Sequence, residues 1–204
     1  MLAGTNGAGK SSIAGAVLRQ YGLEFFDPDA AARRIRAANR GRTQEQANAA
    51  AWNEGRRLLE RAITERLDFA FETTLGGATM SALLERALAA GIEVHVWYIG
   101  LSSPGLHIAR VRARVRRGGH DIPEQRIRER YDRSRVNLVR LLPKLTELRV
   151  FDNSAEADPH TGAAPEPIPL LHMVRGKVVT SCELSTTPEW AKPIFAAALG
   201  ERRR

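Results

Sequence analysis

The sequence predicts an α/β fold of three layers, with a mostly parallel central sheet flanked by helices. Two observations predict it. Short apolar runs alternate along the chain with longer stretches of helical periodicity, the pattern of strands joined by crossover helices. Three apolar runs also end on an acidic residue, at Phe26-Asp27, Phe71-Glu72 and Phe151-Asp152. That is expected of strands whose carboxyl ends open onto a ligand crevice. With 204 residues, 43% hydrophobic and 26% charged, the chain suits one domain over residues 1–204.

Each element has its own local signal. Leu2–Ala3 is the stub of a strand, shorter than the roughly five residues of a central strand, so the first strand reads as clipped. Lys10–Tyr21 reads as a helix. Leu23–Asp27 is a short apolar run, and Ala30–Asn39 is helical. Thr43 and Gln46 have the spacing of a capping box for a long helix to about Leu67. Its Ala47, Ala51, Leu58, Leu59, Ala62 and Ile63 fall mostly on one face. Asp68–Glu72 is a strand candidate, and Met80–Ala90 a helix stopped by Gly91.

Ile92–Ile99 alternates and then runs apolar, which makes it the clearest strand. Pro104–Arg117 and Pro123–Leu142 are helical, split by Gly118-Gly119. Leu148–Asp152 is another strand, and the polar, proline-containing residues 153–168 form a loop. Leu170–Val174 and Lys177–Thr180 flank Arg175-Gly176 as a hairpin. Pro188 follows Thr187 at the start of a last helix to about Leu199. Residues 169–199 are thus a C-terminal hairpin and helix.

Composition excludes several classes. No run of about 18 apolar residues exists to span a membrane. The glycine-rich start is unlike a basic-then-apolar leader. One cysteine, Cys182, forms neither an internal disulfide nor a cysteine-based zinc site. A reducing cytoplasm is the expected location.

Charge is less ordinary. The net charge is +8, and residues 110–149 carry all of that excess, with 13 basic residues against five acids. A localised positive field suits polyanions such as nucleotide phosphates, a phosphorylated substrate or nucleic acid. It equally suits a solvated arginine-rich helix pair.

The chemistry is clearest at the start of the chain. Gly4-Thr5-Asn6-Gly7-Ala8-Gly9-Lys10-Ser11 meets G-x-x-x-x-G-K-[ST] without mismatch, and Ser12 follows. Glycines let the backbone turn so that successive N–H groups converge on phosphates. Lys10 is then expected at the β- and γ-phosphates, and the Ser11 hydroxyl on Mg²⁺. The following helix adds its positive dipole end. These residues are the expected ATP and metal site of a P-loop NTPase fold. No strand ending in an Asp-Glu pair, no Leu-Ser-Gly-Gly-Gln and no Asn-Lys-x-Asp occurs. Transporter ATPases and guanine-reading switches therefore fit poorly, and a kinase-sized chain remains.

Acidic residues at strand ends supply the rest. Asp27 and Asp29 follow the second apolar run, while Glu72, Thr73 and Thr74 follow the third. Both sets should face the crevice of the phosphate loop. One carboxylate there can accept the proton of an acceptor hydroxyl, and another can bind the acceptor. Asp27 reads as a helix cap, and Asp29 and Glu72 as functional. Arg110, Arg114 and Arg117 share helical spacing, and Arg126, Arg128, Arg130 and Arg133 follow on the next helix. Residues 104–142 thus suit an arginine-rich helical lid closing over ATP.

The chain resembles the zeta toxin family of P-loop kinases from Leu2 to about Leu199. The resemblance is carried by the phosphate loop, Phe26-Asp27-Pro28-Asp29, Phe71-Glu72-Thr73-Thr74-Leu75, Ile99-Gly100-Leu101-Ser102-Ser103-Pro104, Gly118-Gly119-His120, Arg130-Tyr131 and Phe151-Asp152-Asn153-Ser154. It implies transfer of the ATP γ-phosphoryl group to the amino-sugar 3′-hydroxyl of UDP-N-acetylglucosamine. Asp29 matches the general base, Lys10 and Ser11 the nucleotide and metal positions, and Glu72 and Thr74 the acceptor motif. The family's lid arginines correspond to some of Arg110, Arg114, Arg117 and Arg130, and His120 either contacts the acceptor or caps its turn. Thr5 stands where the family usually has proline. An antitoxin would be a separate chain.

Two other functions remain open at this level. A polynucleotide kinase or nucleic-acid-binding ATPase would explain the basic segment, although Tyr131 is its only aromatic residue. A non-catalytic nucleotide-binding regulator would bind ATP without turnover.

Overall fold

The computed structural model describes residues 1–10, 25–155 and 166–200. The expected helix Lys10–Tyr21 lies outside them beyond Lys10, as does most of the expected loop 153–168. Six strands form one sheet, and described helices flank it.

Strand β1 (Leu2–Ala3) leads into the glycine loop. Helix α1 (Pro28–Ala38) follows, then α2 (Gln44–Glu65), β2 (Glu72–Thr73) and α3 (Ala78–Ala89). Strand β3 (His95–Gly100), α4 (Pro104–Arg116), α5 (Glu124–Leu141) and β4 (Glu147–Asp152) continue the alternation. The hairpin β5 (Ile168–Val174) and β6 (Lys177–Ser181) and helix α6 (Lys192–Gly200) complete it.

The strand order is β2-β1-β3-β4-β5-β6. The first four strands in that order are parallel, and β5 and β6 add antiparallel pairs at one edge. The sheet is thus mostly parallel, and β1 sits inside it. The carboxyl ends of β1, β2, β3 and β4 all point the same way, which places the loops that follow them around one crevice.

Local chemistry explains the helix boundaries. Thr43 Oγ1 accepts from Gln46 N at 3.2 Å and Gln46 Oε1 accepts from Thr43 N at 3.0 Å, a complete capping box. Helix α2 ends on Arg66 in the left-handed conformation, φ 54°. Ser103 caps α4 by accepting from Leu106 N at 3.2 Å, with Pro104 in its first turn.

The main core lies on one face of the sheet. Leu59 of α2, Leu84 of α3, Leu138 and Leu141 of α5 and Phe195 of α6 pack there against Val96, Tyr98, Leu148 and Val150. Each is nearly or wholly removed from water, so burial of their apolar area holds the helices to the sheet.

Three expectations shift. The strand expected over Ile92–Ile99 forms from His95 to Gly100. The strand expected over Asp68–Glu72 shrinks to Glu72–Thr73, with Phe71 only bridged to Phe26. Its neighbour β1 is two residues long, so the earlier residues have no ladder partner there. The last helix begins at Lys192 rather than near Pro188. Residues 188–191 instead turn, with Ala191 N donating to Pro188 O at 2.9 Å. That turn carries Trp190 into the core against Tyr98 and onto Gly100.

Candidate active site

The glycine loop is shaped by two close approaches. Gly4 has φ 142°, and a Cβ there would stand 2.2 Å from the Ile99 carbonyl oxygen. Gly7 has φ 83°, and its Cβ would stand 2.7 Å from the His107 carbonyl oxygen. Neither the conformation nor the space admits a side chain.

Side chains from three distant segments hold the loop. His107 of α4 donates from Nδ1 to the Asn6 carbonyl at 2.8 Å. Arg130 of α5 donates from Nη1 to Asn6 Oδ1 at 2.8 Å. Asn153, just past β4, donates from Nδ2 to the Ala8 carbonyl at 2.9 Å. His107 is fully buried, and burial pushes its imidazole down to about 4, with Lys10 and Arg110 adding like charge. It is therefore neutral near pH 7, with the Nδ1 proton on the loop.

Lys10 closes the loop. Its Nζ donates to Gly4 O at 2.7 Å and Thr5 O at 3.4 Å and pairs with Glu72 Oε1 at 3.5 Å. Glu72 ends the third apolar run as expected and carries its carboxylate under the phosphate loop. The following Leu75 is fully buried at φ 53°, its N–H bonded to Thr73 Oγ1 and its carbonyl to Asn137 Nδ2. This fixes the Glu72–Thr74 turn.

Asp27 and Asp29 divide their roles. Asp27 Oδ1 accepts from Asp29 N and Ala30 N at 2.8 and 3.2 Å, the N-cap of α1. Asp29 sits in the first turn, and its carboxylate faces Arg114 Nη1 at 3.4 Å.

Asp29, Glu72, Thr74, Asn6, His120 and Arg130 line one cavity of about 510 Å³. Arg130 is mostly buried there, and burial first, then the neighbouring Arg126, lowers its guanidinium, while Asp29 opposes the shift. Trp52, Asn48, Arg126 and Arg133 complete the walls from α2 and α5.

The arginines expected to act together have different surroundings in this structure. Arg114 reaches Asp29 and also the His120 carbonyl at 3.3 Å. Arg110 instead donates to the Ala155 carbonyl at 2.9 Å, and Arg117 is the exposed cap after α4. Ser11 and Ser12 lie outside the described residues. Among the described residues, no group of three or more His, Cys, Asp or Glu is placed to hold a metal, and no helix is long and apolar enough to cross a membrane.

Sequence reasoning gave no role to His107, Asn153, Trp52 and Asn48. Asn153 was recoverable, since it follows a strand end at the crevice. His107 lies on the apolar face of α4 beside Ile108 and Val111, where a lone histidine reads as core.

The zeta toxin family model matches residues 1–161. The chain belongs to the zeta toxin family. It is 33% identical over 129 residues to an uncharacterised protein of Haemophilus influenzae, a match covering 63% of this chain and 88% of that one.

Its fold is similar to a chain of the AvrRxo1-ORF1:-ORF2 crystal structure with ATP, at TM-score 0.65 and 16% identity, covering 97% of this chain. This chain spans 62% of the length of that one. The PezAT toxin–antitoxin system of Streptococcus pneumoniae is also similar, at TM-score 0.55 and 14% identity, covering 98% of this chain and 84% of that one. These likenesses show a shared α/β fold.

Proposed function

We propose that the chain is an ATP- and Mg²⁺-dependent kinase that phosphorylates a hydroxyl of a small acceptor, a nucleotide sugar such as UDP-N-acetylglucosamine. One observation carries this reading. Asp29 and Glu72 face a single cavity of about 510 Å³, and the same Glu72 pairs with Lys10 of the phosphate loop. An acceptor in the cavity would therefore lie beside any phosphate held by the loop.

The residues present fit a nucleotide. The loop's close-packed glycines leave its backbone bare, and Lys10 Nζ folds back onto the Gly4 and Thr5 carbonyls beside it. Bound ATP would supply the phosphoryl group, and Mg²⁺, held with the Ser11 hydroxyl, would neutralise charge on it. Asp29 orients the acceptor hydroxyl and takes its proton. Glu72, Thr74 and His120 position the acceptor. Lys10, Arg114 and Arg130 provide positive charge on the phosphate side, and the Arg114 link to Asp29 joins α4 to α1 across the cavity mouth. Arg110 and Arg117 join them when the 104–142 segment closes as a lid. Catalysis in this arrangement is positioning plus electrostatics.

A protein partner is part of the proposal, since both similar structures described above are of two-component systems by name. The nucleic-acid reading gains nothing: the Tyr131 hydroxyl is bonded to Ser102 O, and Arg135 lies over its ring at 4.1 Å.

The test is incubation with ATP, Mg²⁺ and UDP-N-acetylglucosamine, followed by mass spectrometry, with Lys10→Ala and Asp29→Ala alongside. Phosphorylated sugar nucleotide from the wild type alone supports the proposal. Product that persists in Asp29→Ala removes the base role. No product from this acceptor removes it as substrate.

A further inference from the structure

We propose that Glu72 competes with a polyphosphate for the Lys10 ammonium, so that phosphate binding in the glycine loop turns the Glu72 carboxylate over to the acceptor cavity. The two binding events are thereby coupled. This deepens the kinase reading above and rests on it.

The contacts of Lys10 carry the inference. Among the described residues its Nζ has three partners, Gly4 O at 2.7 Å, Thr5 O at 3.4 Å and Glu72 Oε1 at 3.5 Å. An ammonium has three N–H donors, so a phosphate oxygen must take one of these places. Gly4 and Thr5 belong to the loop that would hold the phosphate. Glu72 comes from β2 and makes the longest of the three contacts. It also carries a full negative charge. Both side chains of the pair are nearly removed from water, where like charges repel far more strongly than in solvent. A phosphate and the Glu72 carboxylate therefore cannot share Lys10 without cost, and Glu72 is the partner that yields.

The fold lets only the side chain yield. Glu72 N donates to Phe26 O at 2.9 Å, and Glu72 stands in register with Leu2 of β1. Further on, the buried Leu75 is pinned through both its N–H and its carbonyl. The backbone is thus held on both sides of the carboxylate. The side chain lines the cavity of about 510 Å³, which has room for a carboxylate that leaves Lys10.

A second pair has the same sense. Arg114 Nη1 faces Asp29 Oδ2 at 3.4 Å, and Arg114 Nε is buried with no hydrogen-bond partner among the described residues. A phosphate oxygen satisfies that donor and competes with Asp29. Both side chains of this pair are 38% exposed, so it is weak, and the buried pair carries the coupling. Linkage makes the effect reciprocal: the acceptor tightens the phosphate by the same factor as the phosphate tightens the acceptor.

The test measures binding to the full chain, apart from turnover. Wild type, Glu72→Gln and Glu72→Ala are titrated calorimetrically with tripolyphosphate and with a non-hydrolysable ATP analogue, each with and without Mg²⁺. Both variants should bind both probes about 10-fold more tightly than the wild type, with or without the metal. Thermal melting of each variant separates a changed site from a lost fold. A crystal structure of the wild type with tripolyphosphate should show Glu72 Oε1 beyond hydrogen-bonding reach of Lys10 Nζ and turned into the cavity. That structure decides the question without any variant.

Unchanged or weaker polyphosphate binding in a folded Glu72→Gln overturns the inference, and so does a phosphate-bound structure in which Glu72 still holds Lys10. Weakening confined to the Mg²⁺ titrations assigns the carboxylate to the metal and overturns it as well. In each case the kinase reading stands on product formed by the wild type. Tightened binding in the variants with no product from the wild type does the reverse.

Discussion

Lys10 Nζ stands 3.5 Å from Glu72 Oε1, with the two side chains only 5% and 13% exposed. Breaking such a pair by removing one partner leaves a charge stranded away from water, at about 3–5 kcal/mol. Lys10→Met should therefore lower unfolding free energy by roughly 3 kcal/mol. Adding Glu72→Gln should restore part of that loss and none of the activity. Urea unfolding of the four proteins in the cycle measures it. Strictly additive effects would mean that Glu72 is compensated elsewhere.

Asp29 is the proposed base, and its partner Asp27 caps α1. Asp29→Asn preserves shape and the first turn of the helix, so ATP affinity should stay within about threefold while kcat falls roughly 10²–10⁴-fold. Nucleotide titration and single-turnover kinetics give the two numbers. A matched fall in ATP affinity would instead assign Asp29 to the nucleotide.

His107 carries a pH signature. Burial holds it at about 4, below its ordinary 6.5. The unfolded chain thus takes up this proton first as pH falls. The stability that neutral His107 contributes is whole above pH 6.5 and declines as pH falls to about 4. Melting temperature against pH should show that slope, and His107→Asn should flatten it between pH 6.5 and 5. An unchanged slope would place the titration on other groups.

Gly100 and Trp190 share one volume, since a Cβ on Gly100 would stand 2.3 Å from the indole Cη2. Gly100→Ala should cost about 1–3 kcal/mol. Trp190 Nε1 is buried with no hydrogen-bond partner among the described residues, so Trp190→Phe loses packing but no bond seen there. The double variant should be less destabilised than the sum, by about 0.5 kcal/mol or more in a double-mutant cycle.

Local signals were legible wherever a few neighbouring residues decide the outcome. Thr43 with Gln46, Asp27 before Pro28, and Gly91 after α3 each mark a boundary that the fold uses. The phosphate loop, Glu72 and Asp29 were legible because strand order puts them at one crevice. Long-range geometry was not. Helical spacing aligned Arg110, Arg114 and Arg117, yet Arg110 turns to Ala155 and Arg117 lies past the last turn of α4. The start of α6 moved because Trp190 finds a place against Gly100, a contact 90 residues away in sequence. The Trp52 ring was hidden because nothing in the helical pattern of α2 tells which neighbours leave it uncovered.

The ties on the glycine loop also set an order of assembly. They connect Asn6 to His107, Asn6 to Arg130 and Ala8 to Asn153 across separations of 101, 124 and 145 residues. Such contacts repay loop closure late in folding. A chain growing from the ribosome cannot make the last of them until Asn153 has emerged. The glycine loop therefore acquires its final shape only after Asn153 has left the ribosome, and a chain stopped short of that point is an unarmed one.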